Sequence, residues 1–151
     1  MKYKEKNGFT YQDYNKYLDE KITIAHSSKI SNGSVIGRET QIGEKNLIER
    51  SSIGNNCIIG DNCKIINSYI WNNVKIENGV RIENAIIGDD VELAAGTQIQ
   101  KGCVLGDKVA TKENAVIGPN ELVCSNEGKF KSDGDRFKNG GVYESENFKL
   151  E

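Results

Sequence analysis

The sequence predicts an all-β chain wound as a parallel β-helix of hexapeptides. Three observations carry the prediction: a 17-residue repeat, three columns of aliphatic residues inside that repeat, and corner chemistry rich in Gly and Asn. The copies are IGRETQIGEKNLIERSS from Ile36, IGNNCIIGDNCKIINSY from Ile53, IWNNVKIENGVRIENAI from Ile70 and IGDDVELAAGTQIQKGC from Ile87, each of 17 residues. A looser copy starts near Leu105. Self-similarity at such a period marks a stacked repeat architecture, in which each unit buries its apolar side only against its neighbours.

Taken in order along one coil, the first aliphatic column is Ile36, Ile53, Ile70, Ile87 and Leu105. The second is Ile42, Ile59, Ile76 and Leu93; the third is Ile48, Ile65, Ile82 and Ile99. Strand residues alternate between faces, so positions two and four places apart share a side. Stacking would set each column one strand spacing, about 4.8 Å, per coil. The residues four places after the first two columns are small and should fill the corners. They are Thr40, Cys57, Val74 and Val91, then Asn46, Cys63, Val80 and Thr97.

The third unit is one residue short, as in Ile48 to Ile53, Ile65 to Ile70 and Ile82 to Ile87. Ser51, Ser68, Ala85 and Gly102 are read as its inward corner residues. Ser52, Tyr69, Ile86 and Cys103 should then point outward, with the missing residue lost from the corner turn. Gly54-Asn55, Gly60-Asp61, Gly88-Asp89 and Gly106-Asp107 read as corner turns, since Gly and Asn tolerate positive φ. Coils of 17–18 residues, about five of them, span residues 22–124, beginning with a partial coil near Ile22.

The flanks differ. Residues 1–21 are a Tyr-rich connector in which Thr10 and Asp13 would suit a short helix cap and Tyr11, Tyr14 and Leu18 share helical spacing. An extended connector fits equally well. Residues 125–151 are rich in charge and Gly, and the expectation is a flexible tail that buries little.

Composition narrows function. The chain has 151 residues, a net charge of −2 and a single proline. Mixed charge leaves no electrostatic footprint for nucleic acid or membrane. With no signal peptide and no long apolar run, the expectation is a soluble, cytoplasmic chain. Asn32-Gly33-Ser34 would be a glycosylation sequon only in a secreted protein. Cys57 and Cys63 stand six apart because the repeat does; no zinc spacing exists, so no metal is expected and the thiols read as reduced core or corner residues.

Catalytic options are thin. Trimeric hexapeptide acyltransferases use a histidine base, and the one histidine here, His26, precedes the full coils. A general base needs an oriented partner and a substrate cleft. A three-histidine zinc site is impossible with one histidine. No Gly-rich phosphate loop appears, so no cofactor is expected. Asp89 and Asp90 fall in a corner turn and read as solvated.

The outward positions are more informative. Trp71 stands where the other coils carry Gly37, Gly54, Gly88 and Gly106, and a Trp cannot enter the narrow core from there. Tyr69 and Ile86 fall one coil apart on the neighbouring outer column. Together the three would form an exposed aromatic and aliphatic patch, suited either to a protein partner or to cover by the chain's own Tyr-rich N-terminus.

The segment SVIGRETQIGEKNLIERSSIGNNCIIGDNCKIINSYIW, and above all Ser68-Tyr69-Ile70-Trp71, resembles the β-helix region of the epsilon subunit of eukaryotic translation initiation factor two B. The likeness extends upstream through Tyr11, Asn15, Tyr17 and Ile24-Ala25-His26-Ser27, and downstream to Gly140-Gly141-Val142-Tyr143-Glu144-Ser145-Glu146. The resemblance implies left-handed coils, against the usual right-handed crossover rule. It implies the middle module of a guanine-nucleotide exchange factor, lying between a nucleotidyltransferase-like domain and a helical catalytic domain. Such a module, excised or naturally reduced, would have no exchange activity of its own. It would support assembly with a gamma-type subunit and docking of initiation factor two, with Tyr69 and Trp71 as the matched contact residues. The competing expectations are a trimeric acyltransferase and the β-helix of a sugar nucleotidyltransferase, the latter requiring an upstream Gly-rich nucleotide loop.

Overall fold

The computed structural model describes residues 3–4, 10–12, 16–19, 21–125 and 142–143, with side chains for 18–19 and 21–125. All elements among the described residues are strands of two or three residues. They stack into three sheets of nine, seven and six strands. Successive strands of the chain visit the three sheets in rotation, so each coil lends one strand to each face of a triangular solenoid.

The first face includes Ser34–Ile36, Ser52–Ile53, Tyr69–Ile70, Ile86–Ile87, Val104–Leu105 and Leu122–Val123. Its parallel register pairs Ile53 with Ile70 and Ile70 with Ile87, which is the first aliphatic column. The second and third columns pair in the same way, Ile59 with Ile76 and Ile65 with Ile82. Ile48, Ile65 and Ile82 are fully buried. Burying one such side chain stabilises the fold by roughly 2 kcal/mol relative to leaving it in water. The ladders satisfy the backbone between coils: Ser52 N–H donates to Ser68 O at 3.0 Å and Lys64 N–H to Val80 O at 2.9 Å.

Most corners carry one residue at positive φ, and asparagine is the commonest non-glycine there: Asn56, Asn62, Asn67, Asn73, Asn84 and others. Asparagine tolerates this left-handed conformation better than most side chains, which explains its abundance. The expectation for the corner glycines needs correction. Gly54, Gly60, Gly88 and Gly106 lack positive φ; the residue two places later has it, at Asn56, Asn62, Asp90 and Lys108. Gly54, Gly60 and Gly88 make room instead, whereas a Cβ on Gly106 would meet nothing nearer than 3.4 Å. A Cβ on Gly54 would lie 2.5 Å from Asn72 Oδ1 and 2.7 Å from the Trp71 carbonyl oxygen of the coil above.

A second correction concerns the third corner. Only the three middle coils have the short unit, with Arg50, Asn67 and Asn84 as its positive-φ residue. From Ile99 to Leu105 the step is a full six residues. Gly102, with φ of 79°, therefore occupies the turn, and Cys103 rather than Gly102 points inward, with 1% of its surface exposed. Val104 takes the outward place that had been given to Cys103.

The ends add detail. Tyr3–Lys4, Thr10–Gln12 and Lys16–Leu18 form an antiparallel meander, so the N-terminal segment is extended where it is described. Lys16–Leu18 pairs in parallel with Ser34–Ile36, and Leu18 packs on the core ahead of Ile22. Six complete coils result. At the other end Val142–Tyr143 pairs in parallel with Ala110–Thr111 on the second face. The expected flexible tail otherwise falls on residues 126–141 and 144–151, outside the described residues.

Candidate protein interface

The three faces differ in what they show to solvent. On the second face the outward column runs Thr23, Gln41, Ile58, Lys75, Glu92, Ala110. On the third it runs Lys29, Leu47, Lys64, Arg81, Gln98, Val116. Both are mostly polar or charged. On the first face Tyr69 pairs with Ile86, Ile86 with Val104, and Val104 with Leu122. These four side chains are 60%, 42%, 37% and 42% exposed. They form one apolar stripe along the solenoid axis, at about 4.8 Å per coil.

Tyr69 and Ile86 thus stand side by side where the repeat placed them. Val104 and Leu122 extend the stripe, and the sequence reading missed them. The signal was present: Ile99 to Leu105 and Ile117 to Val123 are both steps of six, which put Val104 and Leu122 in the outward column.

Trp71 sits at the corner that leaves the first face, 53% exposed. Its backbone is held from both sides. The Trp71 N–H donates to Ile87 O at 3.0 Å, and Cys57 Sγ donates to Trp71 O at 3.1 Å. The next residue belongs to a ladder of side-chain acceptors running up this corner. Arg38 N–H donates to Asn55 Oδ1 at 3.0 Å, Asn55 N–H to Asn72 Oδ1 at 2.9 Å, and Asn72 N–H to Asp89 Oδ1 at 2.8 Å. Asp89 N–H continues it to Asp107 Oδ1 at 2.8 Å. The ladder satisfies corner amides that no strand pairs, so the indole is presented from a fixed backbone. It also assigns Asp89 a structural task.

His26 lies on an exposed turn. Among the described residues no group of three His, Cys, Asp or Glu side chains is placed to hold a metal ion. Cys57, Cys63 and Cys103 are buried and unpaired, and burial pushes their thiols up from the ordinary 9.0. They are small core residues with suppressed nucleophilicity. Two shallow surface depressions, one lined by Lys21, Thr23, Glu39, Gln41, Asn56 and Ile58 and one by Ser31, Asn32, Glu49 and Arg50, contain no convergent catalytic pair. The exposed stripe with Trp71 is the outstanding surface feature.

A family model for the left-handed β-helix (LβH) domain of eIF2B subunit epsilon matches residues 13–117. The chain belongs to that family. The match takes in all of the short-cornered coils and both Tyr69 and Trp71. No curated protein sequence is significantly similar to the chain. Solved structures agree on the fold, a left-handed β-helix of hexapeptide repeats. A Bacillus cereus protein described as an acetyltransferase superposes with a TM-score of 0.70 at 17% identity, over 77% of this chain and 73% of its own. A hexapeptide transferase family protein of Anaplasma phagocytophilum gives 0.62 at 14% identity, over 83% and 74%. WeeI of Acinetobacter baumannii gives 0.61 at 18%, over 74% and 55%. At such identities the likeness concerns the β-helix alone, because one fold hosts many functions.

Proposed function

We propose that this LβH domain is a non-catalytic assembly and docking module of an epsilon-type subunit in a translation-initiation guanine-nucleotide exchange factor. It joins a gamma-type subunit and helps to seat initiation factor two, in the cytoplasm. Exchange activity would reside outside this module. The observation that carries the reading is the apolar stripe from Tyr69 to Leu122, flanked by Trp71, on a chain of the eIF2B epsilon LβH family. Large exposed aromatic and aliphatic side chains in contiguous array are what protein contacts use. The transferase reading has less support: His26 is exposed on a turn in the first coil, with no oriented partner beside it among the described residues.

The experiment is a binding titration of the chain against the gamma-type subunit and, separately, against initiation factor two. Trp71→Ala is expected to weaken at least one of them by roughly 2 kcal/mol, about thirtyfold, with the thermal melt unchanged. Absence of binding by the unsubstituted chain to both would end the proposal. Unchanged affinity of the variant would remove Trp71 from it.

A further inference from the structure

We infer that Asn32 is a deamidation site, where water converts the side-chain amide to a carboxylate and part of the Asn32-Gly33 linkage to isoaspartate. The inference rests on hydrogen bonding within the chain and is independent of the function proposed above.

Asn-Gly pairs stand at Asn32-Gly33, Asn78-Gly79 and Asn139-Gly140, the last outside the described residues. Such pairs are reactive because glycine has no side chain to shield its peptide nitrogen. That nitrogen gives up its proton and attacks the asparagine Cγ; the new N–C bond closes a five-membered imide as ammonia leaves. Water then opens the imide. Opening at the side-chain carbonyl returns a normal peptide with aspartate, and opening at the main-chain carbonyl leaves isoaspartate. Amide plus water becomes acid plus ammonia, and nothing is oxidised or reduced.

Local backbone does not separate the two described pairs. Both glycines have positive φ, 77° at Gly33 and 71° at Gly79, and both asparagines are exposed. Hydrogen bonding does separate them. Asp61, in the coil below Asn78, holds both reacting groups of that pair. Its N–H donates to Asn78 Oδ1 at 2.8 Å, and its carbonyl accepts the Gly79 N–H at 2.8 Å. The coil above adds a third bond, from Gly96 N–H to Asn78 O at 2.9 Å. Attack at Asn78 therefore requires a local opening of the stack.

At Asn32 neither the carboxamide nor the Gly33 N–H has a hydrogen-bond partner among the described residues. Higher on the same corner, Asn67 N–H donates to Glu49 O and Asn84 N–H to Ile66 O, each at 3.0 Å. The matching bond from Arg50 N–H to Asn32 O is not formed, and Asn32 O accepts only from Ser31 Oγ, at 3.4 Å. The cause is a mismatch of turn length: Ile30 to Ile36 is a step of six and Ile48 to Ile53 a step of five. The two turns part around the shallow depression lined by Ser31, Asn32, Glu49 and Arg50. The extra main-chain carbon of isoaspartate would fall just before Gly33 and the fully buried Ser34, at the head of Ser34–Ile36 on the first face.

The test is timed incubation of the full chain at about pH 8, with peptide mapping that separates asparagine, aspartate and isoaspartate at each site. The guanidinium-unfolded chain, incubated alongside, supplies the intrinsic rate of each peptide. After division by that rate, Asn32 is expected to react at least tenfold faster than Asn78, because only Asn78 must first break the bonds to Asp61 and Gly96. Hydrogen exchange reads the same openings, and the Gly33 N–H should exchange at least tenfold faster than the Gly79 N–H on the same normalised scale. A normalised deamidation ratio below ten, whether both sites are slow or both fast, overturns the inference. Equal exchange at the two amides does so too, as does isoaspartate that persists in this peptide of Asn32→Gln. No partner enters the experiment, so its failure leaves the proposed function standing.

Discussion

Gly54 lies directly beneath Trp71, and a Cβ on Gly54 would stand 2.7 Å from the Trp71 carbonyl oxygen. That is closer than a carbon and an oxygen approach without bonding. Gly54→Ala should therefore shift the coil that carries the indole. The expected outcome is a loss of about 1–3 kcal/mol in urea unfolding, from overpacking rather than backbone strain. Its φ is outside the positive region, so alanine costs nothing conformationally at that position. A variant as stable as the parent would show that the corner relaxes freely.

Ile65 is completely buried between Ile48 and Ile82 in the third column. Ile65→Ala removes apolar contact from the coil's own interior and from both neighbours. We expect a loss of about 3 kcal/mol in equilibrium denaturation, within the range for large-to-small core changes. Ile58→Ala in the same coil, at an outward site, should cost less than about 1 kcal/mol.

Glu121 occupies the inward corner of the last coil, in the column that holds Ser51, Ser68, Ala85 and Cys103 below it. In that column Ser68 N–H donates to Ser51 Oγ at 3.1 Å and Ala85 N–H to Ser68 Oγ at 3.2 Å. Glu121 Oε2 is out of solvent and has no hydrogen-bond partner among the described residues. Burial pushes the carboxyl above its ordinary 4.5. The folded protein then holds the proton more tightly than the unfolded chain, so this group's contribution to stability is intact below pH 4.5 and declines as pH rises through the folded value. Glu121→Gln should raise the melting temperature at pH 7 and leave it nearly unchanged at pH 4. Equal shifts at both pH values would assign the effect to packing.

The thiols give a second pH handle. Burial holds Cys57 and Cys63 above 9.0, so stability from these groups is present below pH 9 and is lost as pH rises above it. At pH 8 iodoacetamide should modify the partly exposed Cys124 first, with Cys57, Cys63 and Cys103 reacting only on unfolding. Peptide mass mapping against time resolves the order. Early labelling of Cys57 would contradict the packed corner.

The sequence by itself determined the fold, because in a solenoid the period of the chain is the period of the structure. Once Ile36, Ile53, Ile70 and Ile87 are seen at one spacing, stacking puts them in a column and strand alternation puts Tyr69 and Ile86 outside. Trp71 was legible because it breaks a run of glycines, and those glycines were recognised for the wrong reason: their service to close approach depends on the coil above, which no local reading contains. Tertiary structure alone decided the rest. The step from Ile99 to Leu105 is six in the sequence, but that Gly102 takes the positive φ while Cys103 is buried at the inward corner is decided by the packing of that corner. That choice moved Val104 outward and lengthened the apolar stripe to Leu122. Likewise the segment around Thr10 could have coiled or extended; the open edge of Ser34–Ile36 offered unpaired backbone groups, and satisfying them with Lys16–Leu18 made the chain a strand.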